Sequence, residues 1–175
     1  MKNMSCILVI IFLYATSSSI YDIQLEKING TDIQMSEYAN RKIIVIPFNA
    51  ASPDTARLHY LDSLQIADTS LQVIAVPATD FSGESSNAAL NSLSSLFSPK
   101  LVITKQAAVK KEATVYQQIL FKWLTHVNEN GHFDLDVTGV DQLFIVSKTG
   151  VLYSVLDNDV PNDILSQVLN QTVNQ

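Results

Sequence analysis

Few residues in this chain could do chemistry, and they are scattered. Cys6 is the single cysteine. Asp54 follows the short loop Asn49-Ala50-Ala51-Ser52-Pro53, and Asp80 lies in the Ser-, Asp- and Gly-rich stretch Ala78–Asn87. Two carboxylates brought together at neighbouring strand ends could act as an acid–base pair or hold a divalent cation. The plainer reading is a helix-start acid and a solvated loop acid. His132, Asp134 and Asp136 alternate along the chain, so an extended backbone would put them on one face, as metal ligands need. No second histidine stands at metal spacing, and a solvated loop accounts for the same residues. His59 with Ser52 or Ser63 could be drawn into a Ser–His–acid triad, but no G-x-S-x-G turn supports it. His126 ends an apolar helical stretch, where a cation suits the helix C-terminus.

The elements that must position these residues follow from periodicity. Ile43-Ile44-Val45-Ile46 is a continuous β-branched run, the pattern of a strand buried on both faces. Ser52 as N-cap, Pro53 as first residue and Asp54 in the first turn predict the start of a helix carrying Leu58, Leu61 and Leu64. Leu71–Val76 is a second buried strand, stopped by Pro77. Ile20–Ile28 and Thr31–Met35 flank Asn29-Gly30, a two-residue hairpin signal. Ala88–Phe97 reads as a short helix and Lys100–Thr104 as a brief strand. Val115–Val127 reads as an amphipathic helix with Tyr116, Ile119, Leu120, Trp123, Leu124 and Val127 on one face. Gln142–Val146 and Val151–Leu156, around Lys148-Thr149-Gly150, predict a second hairpin. Pro161–Leu169 closes the chain as a helix with Ile164, Leu165 and Val168 inward. A strand–helix–strand unit needs a parallel pair, and the closing hairpin adds antiparallel strands. The pattern predicts an α/β fold, a thioredoxin-like three-layer sandwich with a mixed central sheet and an N-terminal β-hairpin.

The chain has 175 residues, 47% of them hydrophobic and 16% charged, which suits one globular domain. A net charge of −6 argues against binding to a nucleic-acid backbone. Lys2, the apolar run Ile7–Tyr14 and the small residues Ala15-Thr16-Ser17 form a secretory signal pattern, with cleavage expected near Ser17–Ser19. The run is shorter than the roughly 20 residues a bilayer span needs, so no membrane association is expected after cleavage. The expected division is a signal peptide over residues 1–19 and one domain over residues 20–175, secreted or periplasmic. Cleavage would remove Cys6 and leave no thiol for a disulfide or a nucleophile. The sequons Asn29-Gly30-Thr31 and Asn170-Gln171-Thr172 would matter only in a eukaryotic secretory pathway.

Several segments resemble the glutathione peroxidase family, a branch of the thioredoxin superfold. Ile20-Tyr21-Asp22 resembles the family's opening "SIYDF". "IPFNAASPDTARLHYL" is similar to "IVNVASKCGLT…YxxL", and "IAVPATDFSG" to "LAFPCNQFGG". "ILFKWLT" resembles "PLYKWLT", and "QLFIVSKTGVLYSV" resembles "KFLVDKEGKVVERY". These matches run in order from Ile20 to Leu156. The resemblance implies the family's fold, but not its chemistry. The peroxidatic cysteine or selenocysteine position falls at Asp54, the resolving-cysteine position at Ala78 and the glutamine at Asp80. The family's Trp-Asn pair falls at Gly139 and Val140 when counted back from Gly150. A carboxylate cannot pass through the thiolate and sulfenic acid that peroxide reduction requires.

The expectation is a peroxidase-like protein with a dismantled thiol site and no catalytic, cofactor-binding or metal-ligating residue. It would act as a binding or structural domain for an unidentified protein or small-molecule partner. An active peroxidase serving an oxidative-stress response is the first alternative, and a cation-dependent or hydrolytic site at Asp54 and Asp80 the second.

Overall fold

The computed structural model describes residues 18–112 and 116–171; the signal pattern, Cys6 and the residues 113–115 and 172–175 lie outside them. The described chain begins with a 3-10 turn at Ile20–Asp22, then strands β1 (Gln24–Glu26) and β2 (Asp32–Gln34) and a second 3-10 turn at Met35–Tyr38. Strand β3 (Lys42–Phe48), helix α1 (Thr55–Ala67) and strand β4 (Leu71–Pro77) follow. Next come α2 (Thr79–Ser82), α3 (Asn87–Ser94), β5 (Val102–Ile103), α4 (Ile119–Thr125) and α5 (Val127–Asn130). Strands β6 (Leu143–Val146) and β7 (Leu152–Leu156) lead to the closing helix α6 (Asn162–Asn170).

The central sheet has the order β5-β4-β3-β6-β7. β3, β4 and β5 run parallel, β6 runs antiparallel to β3, and β7 runs antiparallel to β6. β1 and β2 form the separate N-terminal hairpin, with Gly30 at its tip at φ +80°. This is the mixed-sheet α/β sandwich that the pattern predicts.

Because successive strand residues point to opposite faces, β3 divides its apolar run between two cores. Ile43 and Val45 face one layer with Ile74, Val76, Phe144, Val146 and the α4 residues Leu120, Phe121, Trp123 and Leu124. Phe121 meets Phe144 edge-on at 5.8 Å between ring centres. Ile44, Ile46 and Phe48 face the other layer with Leu58 and Leu61 of α1 and Leu165 of α6.

Two helix starts and one helix face differ from the expectation. The N-cap of α1 is Asp54, not Ser52, and Thr55 is its first residue. The side-chain carbonyl of Asn49 accepts from the amides of Ala51 and Ser52, so those residues close an Asx turn before any helix starts. The helix expected from Val115 begins at Ile119, because Gln118 donates its amide to the Ala108 carbonyl in an extended conformation. Tyr116, Ile119 and Val127 are consequently exposed, while Leu120, Trp123 and Leu124 are buried. In α6 the contact row is Leu165, Val168 and Leu169, which turns Ile164 outward.

The turn between β6 and β7 needs its glycine. Gly150 has φ +84°, and a Cβ there would lie 2.8 Å from the Tyr21 ring. Tyr21 donates its hydroxyl to the Lys148 carbonyl, tying the first turn of the domain to this hairpin.

Candidate functional site

The loop after β3, the loop after β4 and the approach to β6 all leave the same end of the sheet, since β3 and β4 run parallel and β6 runs against them. In open α/β folds this is where ligands and chemistry collect. Asp54 is exposed there, and its Oδ1 accepts from the Arg57 amide at 2.9 Å. It therefore satisfies one of the free amides at the helix start.

Ala78 and Asp80 are also held in structural roles. Ala78 is fully buried, and its amide donates to the Phe48 carbonyl at 2.9 Å. The Asp80 carboxylate accepts from the amides of Val109 and Lys110, pinning that strand-like segment against α2.

Gly139 and Val140 are partly buried in the bend before β6. The side chain that responds to Asp54 is the next one, Asp141. Its backbone is in the left-handed region at φ +63°, which aspartate tolerates better than most residues, and its amide donates to the Pro47 carbonyl at 2.7 Å. That bond clips the approach to β6 onto the end of β3.

Asp141 is half-buried, and its Oδ1 has no hydrogen-bond partner. Burial, and then the negative charge of Asp54, push its carboxyl up to about 6, with Arg57 pulling the other way. Arg57 donates Nη1 to Asn162 Oδ1 at 2.7 Å, while its buried Nε and Nη2 are unpartnered. The arrangement is a mixed-charge cluster, Asp54–Arg57–Asp141, whose members are near one another but incompletely hydrogen-bonded. A carboxyl poised near neutrality can exchange a proton in the physiological range. Nothing in the sequence pattern marked Asp141 or Arg57. Their relation depends on a left-handed turn and on charge effects between residues 84 to 87 positions apart.

The remaining candidates do not converge. The Asp136 carboxylate accepts from the amides of Lys111 and Val137, and Asp134 pairs with Lys111 at 2.5 Å, so both acids fasten loops. His132 is exposed beside them. Among the described residues, no group of three His, Cys, Asp or Glu side chains is placed to hold a metal ion. His59 packs its ring on Phe97 at 4.7 Å, and the Ser63 hydroxyl donates to the Tyr60 carbonyl, so no triad forms between them. His126 is the C-cap of α4, with Nδ1 3.0 Å from both the Thr125 hydroxyl and the Lys122 carbonyl.

Comparison with known proteins places this geometry in context. No family model matches the chain. Glutathione peroxidase 1 of Caenorhabditis elegans is 29% identical over an aligned 137 residues, covering 68% of this chain and 74% of that protein. The crystal structure of T. cruzi GPX1 superposes with a TM-score of 0.67 at 13% identity, covering 87% of this chain and 94% of that one. A secreted Mycobacterium tuberculosis disulfide oxidoreductase homologous to E. coli DsbE superposes at 0.55 and 10% identity, covering 85% and 95%. The structural likenesses show the thioredoxin-like fold. The chain has a thioredoxin-like fold and is similar in sequence to a glutathione peroxidase.

Proposed function

We propose that this protein keeps the peroxidase scaffold without its thiol chemistry and works as a non-catalytic binding or structural domain outside the cytoplasm. The observation that carries this reading is the role of Asp54. It occupies the position where the resembling motif holds its cysteine, and its carboxylate caps α1. An aspartate that anchors a helix start is stabilising, but it is no substitute for a thiolate. The described residues contain no cysteine, and Cys6 lies within the signal pattern.

Export rests on that N-terminal pattern, and no described helix is long and apolar enough to cross a membrane. The Asp54 loop is the part of the surface where a protein or small-molecule partner would be sought first, since ligands of this fold class gather at that end.

The test is hydrogen peroxide consumption by the full chain and by a Cys6→Ser variant, with glutathione or thioredoxin as reductant. Both should consume peroxide at the rate of buffer. Turnover by the Cys6→Ser variant well above buffer would overturn the reading in favour of an active oxidoreductase. For a cation-dependent or hydrolytic site at Asp54 and Asp80, the discriminating result would be bound metal in the purified protein. The two amides accepted by Asp80 favour the structural role instead.

A further inference from the structure

The opposite end of the sheet carries a different kind of site. Lys27 follows β1, Arg41 precedes β3 and Lys100 precedes β5, and all three line one groove of about 290 Å³. Tyr38, Thr69 and Gln72 line it alongside them, and no carboxylate does. That is unusual in a chain with 17 acidic and 11 basic residues. The three ion pairs among the described residues engage Lys105, Lys111 and Lys122, so Lys27, Arg41 and Lys100 take part in none of them.

Acids near the groove are committed elsewhere. Glu26 pairs with Lys105, and Glu37 accepts from the Gln34 amide. Asp62 is buried and accepts from Ser98 and Gln65, while Asp68 accepts from the Ser70 amide. The floor is rigid: Gln72 donates to the carbonyls of Val73 and Lys100, and Gln65 accepts from the Val73 amide. A second groove of about 340 Å³ shares Lys27 and Pro99 with the first, again without a carboxylate.

We propose that this groove binds a small molecule bearing two or more phosphate or sulfate groups. Three cations from separate segments, in a groove that no carboxylate lines, favour a multiply charged oxyanion over a single carboxylate. Arg41 can offer a planar fork to such a group, and the two lysines act as point charges beside it. The fixed glutamines reduce the ordering that binding would require. The site stands apart from the Asp54 loop, so its fate does not depend on the reading of that loop.

The test is titration of the full chain with pyrophosphate, and separately with a disulfated disaccharide, followed by backbone amide shifts and calorimetry at low salt. The expected result is saturable binding of at least one probe, with shifts centred on Arg41, Thr69 and Gln72. The Arg41→Gln/Lys100→Gln double variant should lose at least tenfold in affinity, while Lys122→Gln on α4 should bind as the native chain does. Thermal melts identify any folding defect in the double variant, and the single Lys100→Glu variant then provides the same contrast. Tighter binding of pyrophosphate or of the sulfated sugar assigns the anionic group. Shifts that never saturate for either probe, or equal losses in the double variant and Lys122→Gln, would overturn the proposal as diffuse charge attraction.

Discussion

Asp62 on α1 and Asp141 before β6 are both shielded from water, but only Asp62 is fully partnered. Its carboxylate accepts from the Ser98 amide at 2.8 Å, the Ser98 hydroxyl at 2.6 Å and the Gln65 side chain at 2.8 Å. Burial alone would push its carboxyl up, yet these bonds outweigh burial and hold it below the ordinary carboxylate value. Asp141 is less buried, lacks a partner for Oδ1 and feels the charge of Asp54, so its carboxyl is pushed up. Hydrogen bonding, rather than depth, decides which charge the fold accepts. The satisfied carboxylate joins α1 to the turn before β5. The unsatisfied one lies at the strand ends beside the Asp54 loop.

The contrast predicts mutational effects of opposite sign. Asp62→Ala should destabilise most, by about 3–4 kcal/mol, because it leaves the part-buried Ser98 amide and the buried Gln65 side chain without their acceptor. Urea unfolding at pH 7 measures this, and a loss below about 1 kcal/mol would remove Asp62 as an anchor of the fold. Asp141→Asn should instead stabilise at pH 7.5, by about 1–2 kcal/mol after allowing for partial exposure. Asparagine keeps the shape and tolerates the left-handed backbone.

The same pair predicts how stability varies with pH. The folded pKa of Asp62 lies below its unfolded value, so its contribution is present above about 3.8 and is lost as pH falls through the lower folded value. The folded pKa of Asp141 is raised to about 6 from an ordinary 3.8, so its ionisation opposes folding. That cost is absent below 3.8, grows across the interval and is complete above 6. The stability gained from Asp141→Asn should therefore vanish near pH 3.5. Carboxyl chemical shifts give the smallest and most local check. Asp54→Ser keeps a capping side chain but removes the charge, and should lower the Asp141 midpoint by a fraction of a unit. An unchanged midpoint would assign the shift to burial alone.

Much of the fold was legible because short-range patterns and tertiary packing agree. The β-branched run of β3, the Asn29-Gly30 turn and the apolar run of β4 each specify a local state that the sheet then uses. Legibility failed where a distant partner overrode the local pattern. Ser52 is a good N-cap by type, but Asn49 captures its amide. Tyr116 and Ile119 fit a helical stripe, but Ala108 captures the Gln118 amide and delays α4. An aspartate at the start of α1 was legible from residue order alone. Its nearby carboxylate Asp141 was not, because only the folded bend brings the two together.

On the proposed reading that Asp54 stands at a former cysteine position, its loop should retain the shape of a thiol site. The most direct measurement introduces Asp54→Cys into the Cys6→Ser chain and follows sulfenic acid formation after one equivalent of hydrogen peroxide. The account predicts no such product in the Cys6→Ser parent and rapid, stoichiometric formation in the double variant, since a helix start lowers a thiol pKa. A variant thiol no more reactive than free cysteine would contradict the claim that the site's shape survives.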